Sequence, residues 1–475
     1  MYPLAAIMRA LPGVNTKHAF SLMVGVASVQ WIFEGDWIHS FVSSSGTYLI
    51  CLAAPRKYLA VIAFAWVMFY MTMTHWYRMY TSYMSGELDH TGTQMVLTMK
   101  LTTFAYNFWD GTHDRENVFD PKLDNKQPNT RMKQKMAIKC LPSPLEFFGY
   151  VYCFTCVLVG PAFEYNDYVD GLEDYASLQP YKDAIVKEST LDGDKVDCKK
   201  KPPIPSPFVP ALKSLGVGLV CLILKKGWGD NYYPLHSGKE NGHIIPYLSS
   251  SIFIVSHPNL LHRIFVIMLV MLVERWKYYF VWKVAEGSCQ LAGFGFEGFD
   301  EKNNPKGWNG VCNIDIWTFE SSWNAQVMTE AWNKRTAHWL RYYTYVRSND
   351  SLVITYFVSA FWHGLYPGFY ALFMSMPLVT MVERAARERL NPVLIPKYDR
   401  KRPDTYPYDF KGIMYCVVGW LSFKPLMNYL VSTFALGSLD NVLRATNAFY
   451  HLPHILLAVV YGMLLMLPKP KMKQR

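Results

Sequence analysis

Apolar residues in this chain come in long blocks rather than in short alternating runs. The blocks cover about 19–33, 47–73, 92–106, 145–163, 210–225, 246–273, 278–295, 351–381, 411–436 and 446–467. They lack the two-residue alternation of a half-buried strand, so the pattern predicts helices. A bilayer core about 30 Å thick is crossed by about 20 residues of helix. The longer blocks reach that length alone, the longest reads as two helices, and the shorter ones read as tilted, re-entrant or buried pieces. Only helices or closed barrels satisfy their backbone in lipid, and blocks of this kind exclude a barrel. The expectation is an all-α polytopic integral membrane protein with about nine to eleven spans.

Polar segments near 110–144, 164–209, 296–323 and 391–411 and a basic tail, 468–475, separate and follow the blocks within one membrane domain, 1–475. They explain why a chain of 475 residues that is 51% hydrophobic has a mean hydropathy of only +0.04. Gly and Pro recur inside the blocks, at His257-Pro258 and Pro367-Gly368. Such residues are tolerated where neighbouring helices or a cavity satisfy the backbone, which points to an internal chamber. The net charge of +10 gathers at Lys133 and Lys135, Lys199–Lys201, Arg400–Arg402 and the tail. Clusters beside spans mark cytoplasmic faces and attract anionic headgroups rather than nucleic acid. Lysines third and fifth from the end, Lys473 and Lys471, resemble a retrieval signal for the endoplasmic reticulum and would put the tail in the cytosol. The first eighteen residues hold no compact cleavable signal, so the first spans serve for insertion.

His363 is the group that changes the picture. It sits in 351–381, a stretch without Asp, Glu, Lys or Arg. A titratable ring at such depth is expensive unless it faces a polar space, and imidazole is suited to take a proton from a hydroxyl and return one. The alternative is a core histidine satisfied by a neighbouring helix. Upstream, 331–347 reads at helical period with Trp332, Thr336, Trp339, Leu340 and Tyr343 on one broad side. Its polar positions are Lys334, Arg335, His338, Arg341 and Arg347, which also fits an amphipathic interfacial helix. Ser348–Ser351 is a turn-and-cap sequence. From Asn333 to Arg347 is ~21 Å of helix, and from Leu352 to His363 ~16 Å back, so an antiparallel pair returns both residues to similar depth.

Other motifs carry less. Cys153-Phe-Thr-Cys156 has metal-like spacing but lies in an apolar block with no second pair. Gly293–Gly298 matches a dinucleotide fingerprint on paper without a preceding strand. There is no Gly-x-Ser-x-Gly elbow, no histidine followed five positions later by aspartate, and no transporter-type repeat.

Trp332-Asn333, Trp339-Leu340-Arg341, Tyr345 and Arg347, followed by Ser359–Tyr370, are similar to the two signature blocks of the membrane-bound O-acyltransferases (MBOAT). Within that family they resemble the plant- and yeast-type lysophospholipid acyltransferases. The likeness extends to Met84–Gly86, Thr91–Lys100, Tyr106–Gly111, Pro142–Tyr150, Gly160–Tyr168 and Arg275–Phe280 with Glu286, and so covers roughly residues 20 to 470. In the family an asparagine and a histidine form the active centre, and these map to Asn333 and His363. Trp323-Asn324 is a second match to the asparagine block, but its spacing to Trp339-Leu340-Arg341 is fifteen rather than six.

The resemblance implies transfer of an acyl group from acyl-CoA to the free glycerol hydroxyl, sn-2, of a lysophospholipid such as lysophosphatidylcholine or lysophosphatidylethanolamine. It implies a phospholipid-remodelling enzyme of the endoplasmic reticulum membrane, with no metal, no cofactor beyond the acyl-CoA co-substrate and no obligate protein partner. His363 is the expected base and Asn333 the expected amide donor or orienting group. Arg335, Arg341, Arg347 and Lys277 are expected near the coenzyme A phosphates, with Trp332, Trp362 and Glu286 lining the substrates. Glu286 and Asp110 also fit helix-pairing roles. The rival readings are a family member with a neutral-lipid or protein acceptor, a transporter, and an inactive scaffold.

Overall fold

The computed structural model describes residues 1–85, 89–119, 127–173, 204–229, 248, 249, 251–300, 304–396, 398 and 409–469. The Lys199–Lys201 and Arg400–Arg402 clusters, much of segments 164–209 and 391–411, and the tail from residue 470 lie outside the described residues. Among the described residues every regular element is helical, apart from one antiparallel bridge between Phe299 and Pro305. The fold is all-α.

The principal helices are α1 (Val14–Phe33), α2 (Trp37–Ala53), α3 (Leu59–Thr81), α4 (Thr91–Thr112), α5 (Phe208–Ile223), α6 (Leu260–Leu291), α7 (Lys334–Leu340), α8 (Leu352–His363), α9 (Pro367–Arg389), α10 (Phe410–Leu436), α11 (Leu439–Asn447) and α12 (Leu452–Met466). The block 47–73 divides at Pro55, where Ala54 turns extended, as a residue before proline must. The block 351–381 divides after His363: Gly364 adopts φ 131°, and Pro367 opens α9 at a position where no amide hydrogen is needed.

Two expectations need correction. Blocks 246–273 and 278–295 are not separate spans, because α6 runs unbroken through the charges that seemed to divide them. Each charge is paired there: Glu274 accepts from Lys277 (2.6 Å) and Lys225 (3.3 Å), and Arg275 reaches Glu320. Block 145–163 holds a helix only over Pro144–Val151, started by a Ser143/Glu146 capping box. Among the described residues two stretches, Arg56–Thr81 and Phe208–Gly229, are long and apolar enough to cross a bilayer alone, and α11 with α12, bent by 70°, make a third if the pair counts as one span. Counting apolar blocks gave a larger number because the other long helices also carry polar groups, such as Lys17 and His18 in α1 and Lys424 and Asn428 in α10.

The described chain gathers into two compact units: Met1–Thr74, Glu87–Val220 and Phe280–Asn313 form one, and His75–Gly86, Cys221–Tyr279 and Ile314–Arg475 the other. In the first, α4 is interior, with sixteen of its 22 residues buried on all sides. Its Lys100 donates to the carbonyls of Tyr150 and Val151 and sits 4.2 Å from the centre of the Tyr150 ring. Glu286 accepts from Lys283 (2.9 and 3.0 Å) and from Ser214 (3.3 Å), so it serves as a buried helix-pairing group. Cys153 and Cys156 are packed in the core of the same unit.

The second unit is organised around a buried charge cluster. Arg275 donates to both Glu320 oxygens (2.8 and 3.0 Å) and to Asn428 (2.6 Å). Lys424 lies 3.0 Å from Glu320 and donates to the Phe319 carbonyl (2.7 Å), and the Tyr279 hydroxyl donates to Glu320 at 2.6 Å. The cluster thereby ties α6, the short helix Ile316–Ser321 and α10. On another side of α10, α9 approaches so closely that Gly368 donates its N–H to the Gly437 carbonyl (2.8 Å).

A methyl group at Gly368 would fall 2.2 Å from the Thr433 carbonyl oxygen. Gly368→Ala is therefore expected to force α9 and α10 apart and cost about 1–3 kcal/mol, read as a lower unfolding midpoint in detergent; an unchanged midpoint would contradict this packing. Burial raises the Glu320 carboxyl, but Arg275 and then Lys424 outweigh it and hold the group below its ordinary value of 4.5. A lowered carboxylate contributes stability above its unfolded value and loses it as pH falls through the folded one. The unfolding midpoint of the wild type should thus exceed that of Glu320→Gln most at neutral pH, with the gap shrinking below pH 4.5. A gap independent of pH would contradict the pairing.

Candidate active site

The stretch 331–352 is helical almost throughout, yet not as one ideal helix. Asn333 precedes α7 in a left-handed conformation, φ 43° and ψ 52°. After Leu340 the chain widens into a π-helical turn, Arg341–Tyr345, then tightens at Val346–Ser348. Asn349 and Asp350 take positive φ, and the Ser351 hydroxyl accepts the Ile354 N–H to start α8. The predicted turn-and-cap is present. Thr336, Trp339 and Tyr343 are buried, as their spacing requires. The wide turn carries that buried face past Tyr343 onto Thr344.

A left-handed backbone costs an ordinary L-residue about 1–2 kcal/mol, and asparagine adopts it with least strain. Such positions concentrate at functional sites. At Asn333 it reverses the chain between Ala325–Ala331 and α7, and the Asn333 carbonyl accepts the Ala337 N–H (3.0 Å). Its side-chain amide makes no hydrogen bond among the described residues. The alternative, Asn324, behaves differently: its side-chain oxygen accepts the Val327 N–H at 2.9 Å and caps the helix Ala325–Ala331. That amide is committed to structure. Trp332, next to Asn333, is braced by rings, with Phe319 at 4.9 Å, Tyr278 at 5.8 Å and Tyr279 at 6.1 Å. Phe319 and Tyr279 belong to the charge cluster, so the cluster fixes the approach to Asn333.

His363 closes α8 and faces the interior of its unit. Phe373 stacks on it at 5.0 Å, Phe434 meets it edge-on at 4.9 Å, and Trp362 and Phe369 complete the wall at 4.6 and 6.0 Å. These neighbours come from α8, α9 and α10. Neither ring nitrogen makes a hydrogen bond among the described residues, so this histidine is not one satisfied by a neighbouring helix. Trp362 is buried against Trp339 of α7, with centroids 5.8 Å apart. That contact joins α7 and α8 one residue from His363 but six residues, or ~9 Å of helix, from Asn333. No hydrogen bond links Asn333 to His363.

The basic candidates separate. Arg341 is exposed with its guanidinium 5.8 Å from the Tyr342 ring, and Arg347 is half-buried 5.7 Å from Tyr343. Arg335 is half-buried on α7. Lys277 is held by Glu274. Glu286 belongs to the first unit and is engaged there. One residue the sequence reading passed over stands beside the site: His75 of α3, buried, lies with Nε2 3.1 Å from the Trp362 carbonyl oxygen. The signal that could have found it is the one that found His363, a histidine inside a long apolar helix.

The sequence matches the membrane-bound O-acyltransferase family over residues 76–401. It is 30% identical over 474 residues to a lysophospholipid acyltransferase of Schizosaccharomyces pombe, covering 96% of this chain and 83% of that protein. Identity to the lysophospholipid acyltransferase of Saccharomyces cerevisiae is 28% over 470 residues, covering 96% and 71%. For membrane-bound glycerophospholipid O-acyltransferase 2 of Mus musculus it is 27% over 463 residues, covering 97% and 80%. A match over more than half the chain, with relatives that align along nearly all of it, decides the assignment: this chain belongs to the membrane-bound O-acyltransferase family.

Proposed function

We propose that this membrane protein is an acyl-CoA-dependent lysophospholipid O-acyltransferase that esterifies the free glycerol hydroxyl, at sn-2, of a lysophospholipid. The observation that carries the reading is the alignment of 96% of the chain with lysophospholipid acyltransferases of two yeasts. The histidine with unengaged nitrogens among aromatic rings and the asparagine with an unengaged amide supply groups suited to the chemistry.

An alcohol is a poor nucleophile until a base removes its proton during attack. Neutral His363 takes that proton as the hydroxyl oxygen bonds to the thioester carbon. The carbonyl oxygen becomes an oxyanion, and an amide N–H from Asn333 stabilises it, a contribution of about 3 kcal/mol for one such donor. When the intermediate collapses, the carbon–sulfur bond breaks and imidazolium returns the proton to the departing thiolate. The products are the diacyl phospholipid and free coenzyme A. The aromatic wall around His363 keeps water from competing for the acyl group. Arg335, Arg341 and Arg347, on α7 and the turns after it, are the proposed contacts for the coenzyme A phosphates. The proposed compartment is the endoplasmic reticulum, with the C-terminal tail in the cytosol.

Membranes containing the protein, given radiolabelled oleoyl-CoA and a panel of lysophospholipids, diacylglycerol and sterol, should label a phospholipid and release coenzyme A. His363→Ala should lower the rate about 10²–10⁴-fold and Asn333→Ala about 10²–10³-fold. Labelling of no lysophospholipid would overturn the function. Full rate in either variant would overturn that residue's role alone.

A further inference from the structure

The helix break that follows His363 is held from outside by one segment of the second unit. At its first point of contact, the His75 ring meets the Trp362 carbonyl at 3.1 Å. A carbonyl oxygen can only accept, so Nε2 carries the proton and donates it. The other face of this ring abuts the break itself. A Cβ placed on Gly364 would lie 3.3 Å from His75 Nδ1, a tight contact, and Gly364 also needs its φ of 131°. At the second point, nine residues on, Met84 takes φ 57° and donates its N–H to the Tyr366 hydroxyl at 3.1 Å, while the Tyr83 and Tyr366 rings lie 5.4 Å apart. The two anchors flank Gly364-Leu365, one on each side.

His363 itself has no hydrogen-bonded partner among the described residues to orient its ring. In most acid–base sites a third group orients the base. Here the rings beside His363 restrict its tilt, and the backbone that carries it is fixed only if the last carbonyls of α8 are. Gly364 N–H covers those of Ala360 and Phe361, each at 3.2 Å. The Trp362 carbonyl, next along the chain, is covered by His75.

We infer that His75 is a positioning residue for His363: by donating Nε2–H to the Trp362 carbonyl it fixes the end of α8 and so the place of the base relative to the acceptor hydroxyl. This rests on the acyltransferase reading above. His75 does not touch substrate in this scheme. Its loss lets the final turn of α8 shift, which lengthens the path from hydroxyl to imidazole without altering where either substrate binds.

The test compares wild type, His75→Phe, which keeps the ring volume and removes the donor, and His75→Gln, which keeps an N–H at similar reach. Each is purified in detergent, checked for an unfolding transition, and assayed for kcat and for KM of oleoyl-CoA and of the lysophospholipid. His75→Phe is expected to lose about tenfold or more in kcat, with both KM values within about twofold and His75→Gln recovering most of the rate. Loss of packing alone would instead lower the unfolding midpoint and raise KM. Wild-type kcat in His75→Phe, or equal loss in both variants, overturns the positioning role. If wild-type protein transfers no acyl group, the functional reading falls and this inference with it.

Discussion

A helix that stops inside an apolar bundle leaves its last carbonyls without partners, and an unpaired buried carbonyl costs about 1–3 kcal/mol. α8 stops in this way directly after His363. The chain cannot continue the helix, because Gly364 leaves the helical region and Pro367 brings no N–H. The ending is tolerable only because Gly364 covers two carbonyls and His75 a third. The position of the candidate base therefore depends on backbone hydrogen bonding as much as on the ring's own contacts.

The same economy of polar groups separates charge from chemistry in the second unit. Arg275 and Lys424 are buried and Glu320 half-buried, and they are engaged with one another, with Asn428 and with a backbone carbonyl. They act as scaffold, reaching Asn333 through Phe319, Tyr279 and Trp332. The two groups proposed for the reaction make no side-chain hydrogen bond among the described residues, which leaves an imidazole to accept a proton and an amide to donate to a nascent oxyanion. Buried polar groups that are already paired cannot be recruited cheaply, and this is what distinguishes Asn333 from Asn324.

Strain falls on the same residue. Asn333 bears a left-handed backbone at the entry to α7, and the Trp332 ring cage holds the chain on its other side. An asparagine whose side chain merely capped a helix, as Asn324 does, would need no such conformation.

The sequence by itself determined the helical class, the turn and cap at Ser348–Ser351, the division of 351–381 into two helices, and the candidacy of His363 and Asn333. These follow from apolar run length, from residues with restricted dihedrals and from a titratable ring in an uncharged stretch, all of which are local. What it misjudged were features set by partners distant in the chain. Charges within α6 looked like an interruption until Glu320 and Lys225 supplied their counter-charges. Glu286 read equally as a ligand contact until Lys283 and Ser214 claimed it. His75 went unremarked because it stands just past the apolar block 47–73, although it belongs to α3. Only tertiary packing brought its ring to the Trp362 carbonyl, 287 positions away, since hydrogen bonds are decided by distance in space and not along the chain.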